Sequence, residues 1–206
     1  MKPEAVAIAE SRLRSASRAY ADLVEAQQDD EAFADIWFQF LSAWKSIWTT
    51  LEQGAKRADE SAAWFEDKKN ERATDMALSY MYTARNDEEH GLTSTVKASP
   101  SLGHKFRLNR EATSMRFHYA QDGTCSLVDQ DGNVCADLLA VQQPGLQLQA
   151  ARVRIRGRWI IVEPPHEHRG RLIDIAPLSV AFAVLTYADE MVNEARHLIT
   201  GTESQG

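Results

Sequence analysis

Hydrophobic positions along this chain change period twice, the helical period returning from Pro177. Up to the nineties they recur with the 3.6-residue period of a helix, and from about residue 103 with the two-residue period of a strand. Residues 4–27 read as a helix with a thin stripe: Val6, Ala9, Leu13, Ala16, Tyr20, Leu23 and Val24. Asp29-Asp30-Glu31 supplies the capping side chain and negative charge that favour a helix start. In the next helix Phe33, Ile36, Trp37, Phe40, Leu41, Trp44, Ile47, Trp48 and Leu51 follow the i, i+3, i+4, i+7 rule without a break. The stripe is too wide and aromatic for a lone surface helix. Burial in a bundle is expected ahead of a dimer interface. Gly54 reads as its end. A third helical region runs from about Arg57 to Glu89. Its polar middle, Glu66 to Arg72, is expected to be solvated or broken, before periodicity resumes with Ala73, Met76, Ala77, Tyr80, Met81 and Ala84. Gly91 reads as a stop.

The period-two region predicts strands near 104–109, 113–120, 124–129, 133–140, 147–156 and 158–163. Asp122-Gly123 and Asp131-Gly132 are tight-turn signals, and Pro144-Gly145 and Gly157 read as further turns. Pro177 opens a last helix carrying Leu178, Ala181, Phe182, Leu185, Tyr187, Ala188, Val192, Ala195 and Ile199. The expected fold class is α+β: a four-helix bundle with a small antiparallel sheet inserted between the third and last helices. The expected division is 1–95 with 176–200 as the bundle, 96–175 as the β-rich insertion, and 201–206 as a flexible tail.

Composition narrows the class. The chain has 206 residues, 44% hydrophobic and 26% charged, enough for one domain-sized core without staples. No apolar run approaches a membrane span, and the stretch from Met1 to Glu10 lacks a signal-peptide core, so a cytoplasmic location and no membrane partner are expected. Two cysteines, Cys125 and Cys135, are too few for a disulfide scaffold; whether they pair stays open. The net charge of −7 argues against nucleic acid, but it is unevenly spread. Residues 151–171 hold six arginines against two glutamates, a local excess of +4 that leaves −11 for the rest.

The third helical region ends in Arg85-Asn86-Asp87-Glu88-Glu89-His90-Gly91. Arginine offers a cationic fork to phosphate oxygens, and histidine titrates near neutrality and can serve as acid or base. This stretch resembles the R-x4-H signature of the HEPN superfamily, which commonly has a polar residue such as Asn after the Arg. The resemblance covers roughly residues 30–91 and 177–199. It implies a helical bundle, a homodimer whose two motifs share one site, and a metal-independent endoribonuclease with no cofactor, acting as a toxin or phage-defence effector. An antitoxin or regulatory protein is a possible partner. Arg85 would stabilise the phosphorane, His90 would handle protons at the 2′-OH and the leaving oxygen, and Asn86 would support them. Leu92 stands where one branch of the family has a modifiable Tyr.

Arg85 and His90 lie five positions apart, about 140° around an ideal helix. They share a site only if the helix frays, the arginine curls round, or a second protomer contributes. A non-catalytic HEPN-like interaction or ligand-binding module is the alternative, and an unrelated structural α+β domain a third. An open basic cleft would favour the nuclease; motif residues held in pairs within the chain would favour the module. Arg152, Arg154, Arg156 and Arg158 form a candidate RNA-backbone track or a solvated outer face. His166-Glu167-His168 lacks metal-ligand company and reads as a surface loop. No P-loop, G-x-G-x-x-G, H-E-x-x-H or G-x-S-x-G motif is present.

Overall fold

Wherever the helical stripe is strong, a helix forms and buries it. In the computed structural model, α1 spans Pro3–Glu25, α2 Asp30–Ala55, α3 Asp59–Thr74, α4 Met76–His90 and α5 Pro177–Glu203. The structure describes the chain apart from residues 28, 91–93, 109–114, 120–124, 130–133, 156 and 204–206. At residues 90, 99–108, 115–119, 125–129, 134–144, 155 and 200–203 it describes the backbone alone. Among the described residues the fold is α-rich, with five helices and small antiparallel sheets, and so falls in the α+β class.

The chain divides into two units, Met1–Ala98 with Leu146–Gly206, and Ser99–Gly145. Of the expected 96–175 insertion, residues 99–145 make up the second unit, while residues 146–175 lie in the first.

In the first unit α2 is the central helix, packed against α1, α3, α4 and α5. Asp29 accepts a hydrogen bond from the Ala32 N–H at 3.0 Å and caps it. Phe33, Trp37, Phe40, Leu41, Trp44, Ile47, Trp48 and Leu51 are all buried within this one chain, as the aromatic stripe requires. The Trp44 Nε1–H donates to the Val184 carbonyl at 3.0 Å, which ties α2 to α5. Trp48 stacks on Tyr187, ring centroids 5.9 Å apart. The small residues Ala5, Ala9, Ala16 and Ala19 of α1 let it lie close to α2.

Three expectations are corrected here. Gly54 does not end α2: it is buried inside the last turn, where a Cβ would meet the Ala5 Cβ at 2.4 Å. The glycine serves close approach of α1, a use its letter does not distinguish from a C-cap. The third helical region is two helices, and the break is at Asp75, not in the polar block. Asp75 ends α3 in extended conformation and accepts from the Leu78 N–H at 2.9 Å, capping α4. The polar block is helical and only partly solvated. Lys68 is buried, pairing with Glu71 and Glu194, and Arg72 lies between the rings of Trp48 and Tyr82 at 4.8 and 4.0 Å. Long basic side chains bury their stems and keep their heads paired.

The third correction concerns Pro144-Gly145. In the second unit β1 (Val96–Leu108), β2 (Met115–Tyr119), β3 (Cys125–Asp129) and β4 (Val134–Leu148) form a sheet in the order β1-β4-β3-β2. Pro144-Gly145 lies inside β4 and is no turn. Cys125 and Cys135 lie on β3 and β4, and their side chains are outside those described. The Asp122-Gly123 and Asp131-Gly132 signals also lie outside the described residues.

The chain leaves and re-enters the first unit through buried Val96 and Leu148. Two short hairpins follow, β5 (Ala151–Ile155) with β6 (Arg158–Val162), and β7 (Glu167–His168) with β8 (Arg171–Leu172). At α5, the Ser179 and Val180 N–H groups donate to the Ala176 carbonyl just before Pro177. The helix continues to Glu203; residues 204–206 of the expected tail lie outside the described residues. Among the described residues no helix is long and apolar enough to cross a membrane.

Candidate functional site

Helix α4 carries the R-x4-H stretch at its carboxyl end, and each described residue of the stretch has a definite partner. Arg85, with its side chain 14% exposed, pairs through Nη1 with Glu89 Oε2 at 2.6 Å. Its guanidinium lies 5.1 Å from the ring centre of Phe38 on α2. Asn86 accepts a hydrogen bond through Oδ1 from the Lys45 ammonium, also on α2. With Oδ1 engaged, the donor end of Asn86 is its amide nitrogen. Lys45 is also 3.8 Å from Glu89 and 5.2 Å from the Tyr82 ring centre. His90 is the last residue of α4, and its side chain is outside those described. Gly91 and Leu92 lie outside the described residues.

Packing of α2 and α3 on α4 therefore brings Lys45 and Arg72 to the Tyr82 ring, and Lys45 to Asn86 and within the field of Arg85. Lys45 feels the field of both arginines. Burial and that repulsion hold its ammonium below the ordinary lysine value, with Glu89 opposing them. Burial likewise lowers Arg72, against the pull of Tyr82 and Glu52. Lys45 and Arg72 were not singled out in the sequence. Lys45 had one visible signal, being the only basic residue between Phe33 and Leu51.

The acidic residues of the motif are used for local structure. Asp87, 7% exposed, accepts from the Arg152 backbone N–H at 2.8 Å, and its Oδ2 is 3.7 Å from the Arg152 Nε. Glu88 accepts from the Thr95 N–H at 2.6 Å and from the Thr95 hydroxyl, while the Trp37 indole donates to that hydroxyl at 3.0 Å. Burial raises the Glu88 carboxyl despite these donors. Asp87 and Glu88 thus fasten the chain on either side of the second unit to α4. The motif and the basic segment, 65 residues apart in sequence, meet at Asp87 and Arg152.

Alternation along β5 and β6 fixes how that basic segment is presented. Arg152 pairs across with Ile161 and Arg154 with Trp159, so these four side chains share one face. Arg158 pairs with Ile155 and lies on the other face; Arg156 is outside the described residues. Arg152, Arg154 and Arg158 are exposed.

The His166-Glu167-His168 stretch opens into the second hairpin. Arg169 and Gly170, with φ of 51° and 72°, form its turn, the left-handed pair a two-residue hairpin needs. His168 Nδ1 lies 3.0 Å from both Asp75 oxygens, the Arg169 N–H donates to Asp75 at 2.7 Å, and the Arg169 guanidinium pairs with Glu190. Burial works against the Asp75 carboxylate, but these donors outweigh it and hold the group below its ordinary value. A pocket of about 230 Å³ lies beside this pair, lined by Glu71, Asp75, Arg169 and Tyr187 among others. Among the described residues no group of three or more His, Cys, Asp or Glu side chains is placed to hold a metal ion.

No family model, no curated protein and no solved structure matches this chain.

Proposed function

We propose that this chain is a HEPN-type endoribonuclease that cleaves RNA by attack of the substrate's own 2′-OH, in a toxin or phage-defence role. The observation that supports this most is Lys45, bonded to Asn86 of the motif and within the electrostatic reach of both Arg85 and Arg72. Neighbouring cations suit a phosphate and the extra charge of its phosphorane. In this reading Arg85 is the main anion ligand, Lys45 and Arg72 reinforce it, and the Asn86 amide donates to a phosphate oxygen. His90 handles the proton. Because α4 is helical through His90, positions Arg85 and His90 of one copy lie about 140° apart around the helix. A two-fold dimer would complete the site by setting one copy's His90 against the other's Arg85. Glu89 stands as the internal anion that an RNA phosphate would displace from Arg85.

The test is cleavage of RNA by the purified chain and by Arg85→Ala and His90→Ala. Each substitution is expected to lower the rate by about 10²–10⁴-fold while leaving the fold intact. Unchanged cleavage in both variants would sink the assignment. A second reading, a HEPN-like interaction module without catalysis, has its own support: Arg85 and Asn86 are each held in a pair within the chain. It predicts no cleavage at all by the wild-type protein.

A further inference from the structure

The β5–β6 hairpin exposes apolar surface that the core does not explain. Trp159 is 64% exposed and Ile161 61% exposed, and both lie on the face that carries Arg152 and Arg154. Burying such residues is the ordinary outcome of folding, and a tryptophan left in water on a two-stranded ribbon has a face free for a partner. The arrangement is interleaved. Each arginine sits directly opposite an apolar side chain, Arg152 opposite Ile161 and Arg154 opposite Trp159. The Arg152 guanidinium is also 5.9 Å from the Trp159 ring centre, so cation and ring form one continuous surface.

We propose that this face of the hairpin is a platform for single-stranded RNA, with one base stacked on Trp159 and the adjoining phosphates held by Arg152 and Arg154. The identity of the nucleic acid rests on the endoribonuclease reading, which it extends by naming the strand state of the substrate. Three features of the face select this occupant. Arg152 and Arg154 are two residues apart on one strand, about 6.7 Å, comparable with the phosphate repeat of an extended nucleic-acid strand. Alternating π-faces and guanidinium groups match a ligand that alternates bases and phosphates at short intervals. A duplex buries its base faces and has none to offer Trp159. A lipid surface fits less well, since every apolar side chain on this face stands across from a charge and no uncharged apolar cap forms. The face also starts at the motif. The Arg152 N–H is bonded to Asp87, one residue beyond Asn86. A strand running along β5 therefore reaches the end of α4, and residues 151–171 carry a local excess of +4 in an otherwise acidic chain.

The experiment measures binding separately from cleavage. The probe is a short, unstructured 2′-O-methyl RNA, which lacks the nucleophile for cleavage, alone and annealed to its complement. The full chain is expected to prefer the single strand. Trp159→Ala should weaken single-strand binding roughly ten-fold or more, and Trp159→Phe should restore most of it. Replacing Arg152 and Arg154 together by Gln should lower the slope of log K against log salt by about 1.4, two phosphates' worth for a single strand. The exposure of Trp159 means its variants should melt like wild type, which circular dichroism checks. Equal binding by Trp159→Ala, or equal affinity for duplex and single strand, would overturn the platform. So would loss, in Trp159→Ala, of binding to anionic phosphatidylserine vesicles or of self-association with RNA binding unchanged. The two proposals fail separately. Trp159-dependent binding without cleavage removes only the nuclease, whereas Arg85-dependent cleavage indifferent to Trp159 removes only the platform.

Discussion

At Gly54 a single hydrogen atom decides how closely two helices lie. The Ala5 Cβ occupies the place a side chain would take, and the Lys2 N–H reaches the Gly54 carbonyl at 3.3 Å. Gly54→Ala gains helix propensity, but the clash lies against a fixed Cβ and not a flexible tip. The net expectation is a loss of about 1–3 kcal/mol, read from urea unfolding. Asp75 is the second position where one side chain does several jobs: it caps α4, fixes the β7–β8 turn and partners His168. Its carboxyl lies below the ordinary 3.8 in the folded chain, so the unfolded chain binds more protons between the two values and stability rises with pH there. The contribution is whole above the unfolded value and is lost as pH falls through the folded one. Asp75→Asn should therefore lower Tm near neutrality and flatten the fall in Tm as pH drops below the ordinary carboxylate value. An acid limb as steep as that of wild type would contradict this assignment. Neither role was legible beforehand. An aspartate in a helical stretch does not announce a cap, and its hairpin partners lie more than 90 residues away.

At the scale of elements, what could be read was what periodicity reports. The α2 stripe was legible because nine apolar positions at one spacing have few other uses, and the structure buries nearly all of them. The break between α3 and α4 falls at Asp75 and not in the polar block, because that block's polarity marks paired as well as solvated side chains. Lys68 is buried, and its ammonium is raised above the ordinary lysine value: burial opposes the charge, but Glu194 and Glu71 outweigh it. Those partners include a residue of α5, so local sequence could not show them. The candidate site divides the same way. Arg85 and Asn86 were visible in the motif, while Lys45 and Arg72 arrive only when α2 and α3 pack on α4. The junction of α4 with β5 makes its own prediction. Asp87→Ala would remove the acceptor of the Arg152 N–H in a part-buried hydrogen bond, costing about 1 kcal/mol. The associated loosening should appear as faster hydrogen exchange at Arg152, with protection of α1 unchanged.

At the scale of the molecule, an acidic chain gathers positive charge at two places in the first unit. One is the group of Lys45 with Arg72 and Arg85, the other the β5–β6 hairpin, which Asp87 bonds to α4. If RNA uses these cations, its binding is predicted to weaken steeply with salt. The motif also bears on assembly, because positions Arg85 and His90 lie about 140° apart around α4. If the active form is a dimer, mixing Arg85→Ala with His90→Ala protein should recover part of the cleavage that each lacks alone, about a quarter to a half of wild type, whenever one intact composite site forms in a mixed dimer. The central claim, attack by the substrate's 2′-OH, is tested most directly by the ends of the cleaved RNA. The purified protein is incubated with a single-stranded RNA and with the same strand carrying one 2′-deoxy nucleotide at the cleaved position. The account predicts 2′,3′-cyclic phosphate and 5′-hydroxyl ends from the first and no cut at that position in the second; an equal cut in both, or no cut in either, would contradict it.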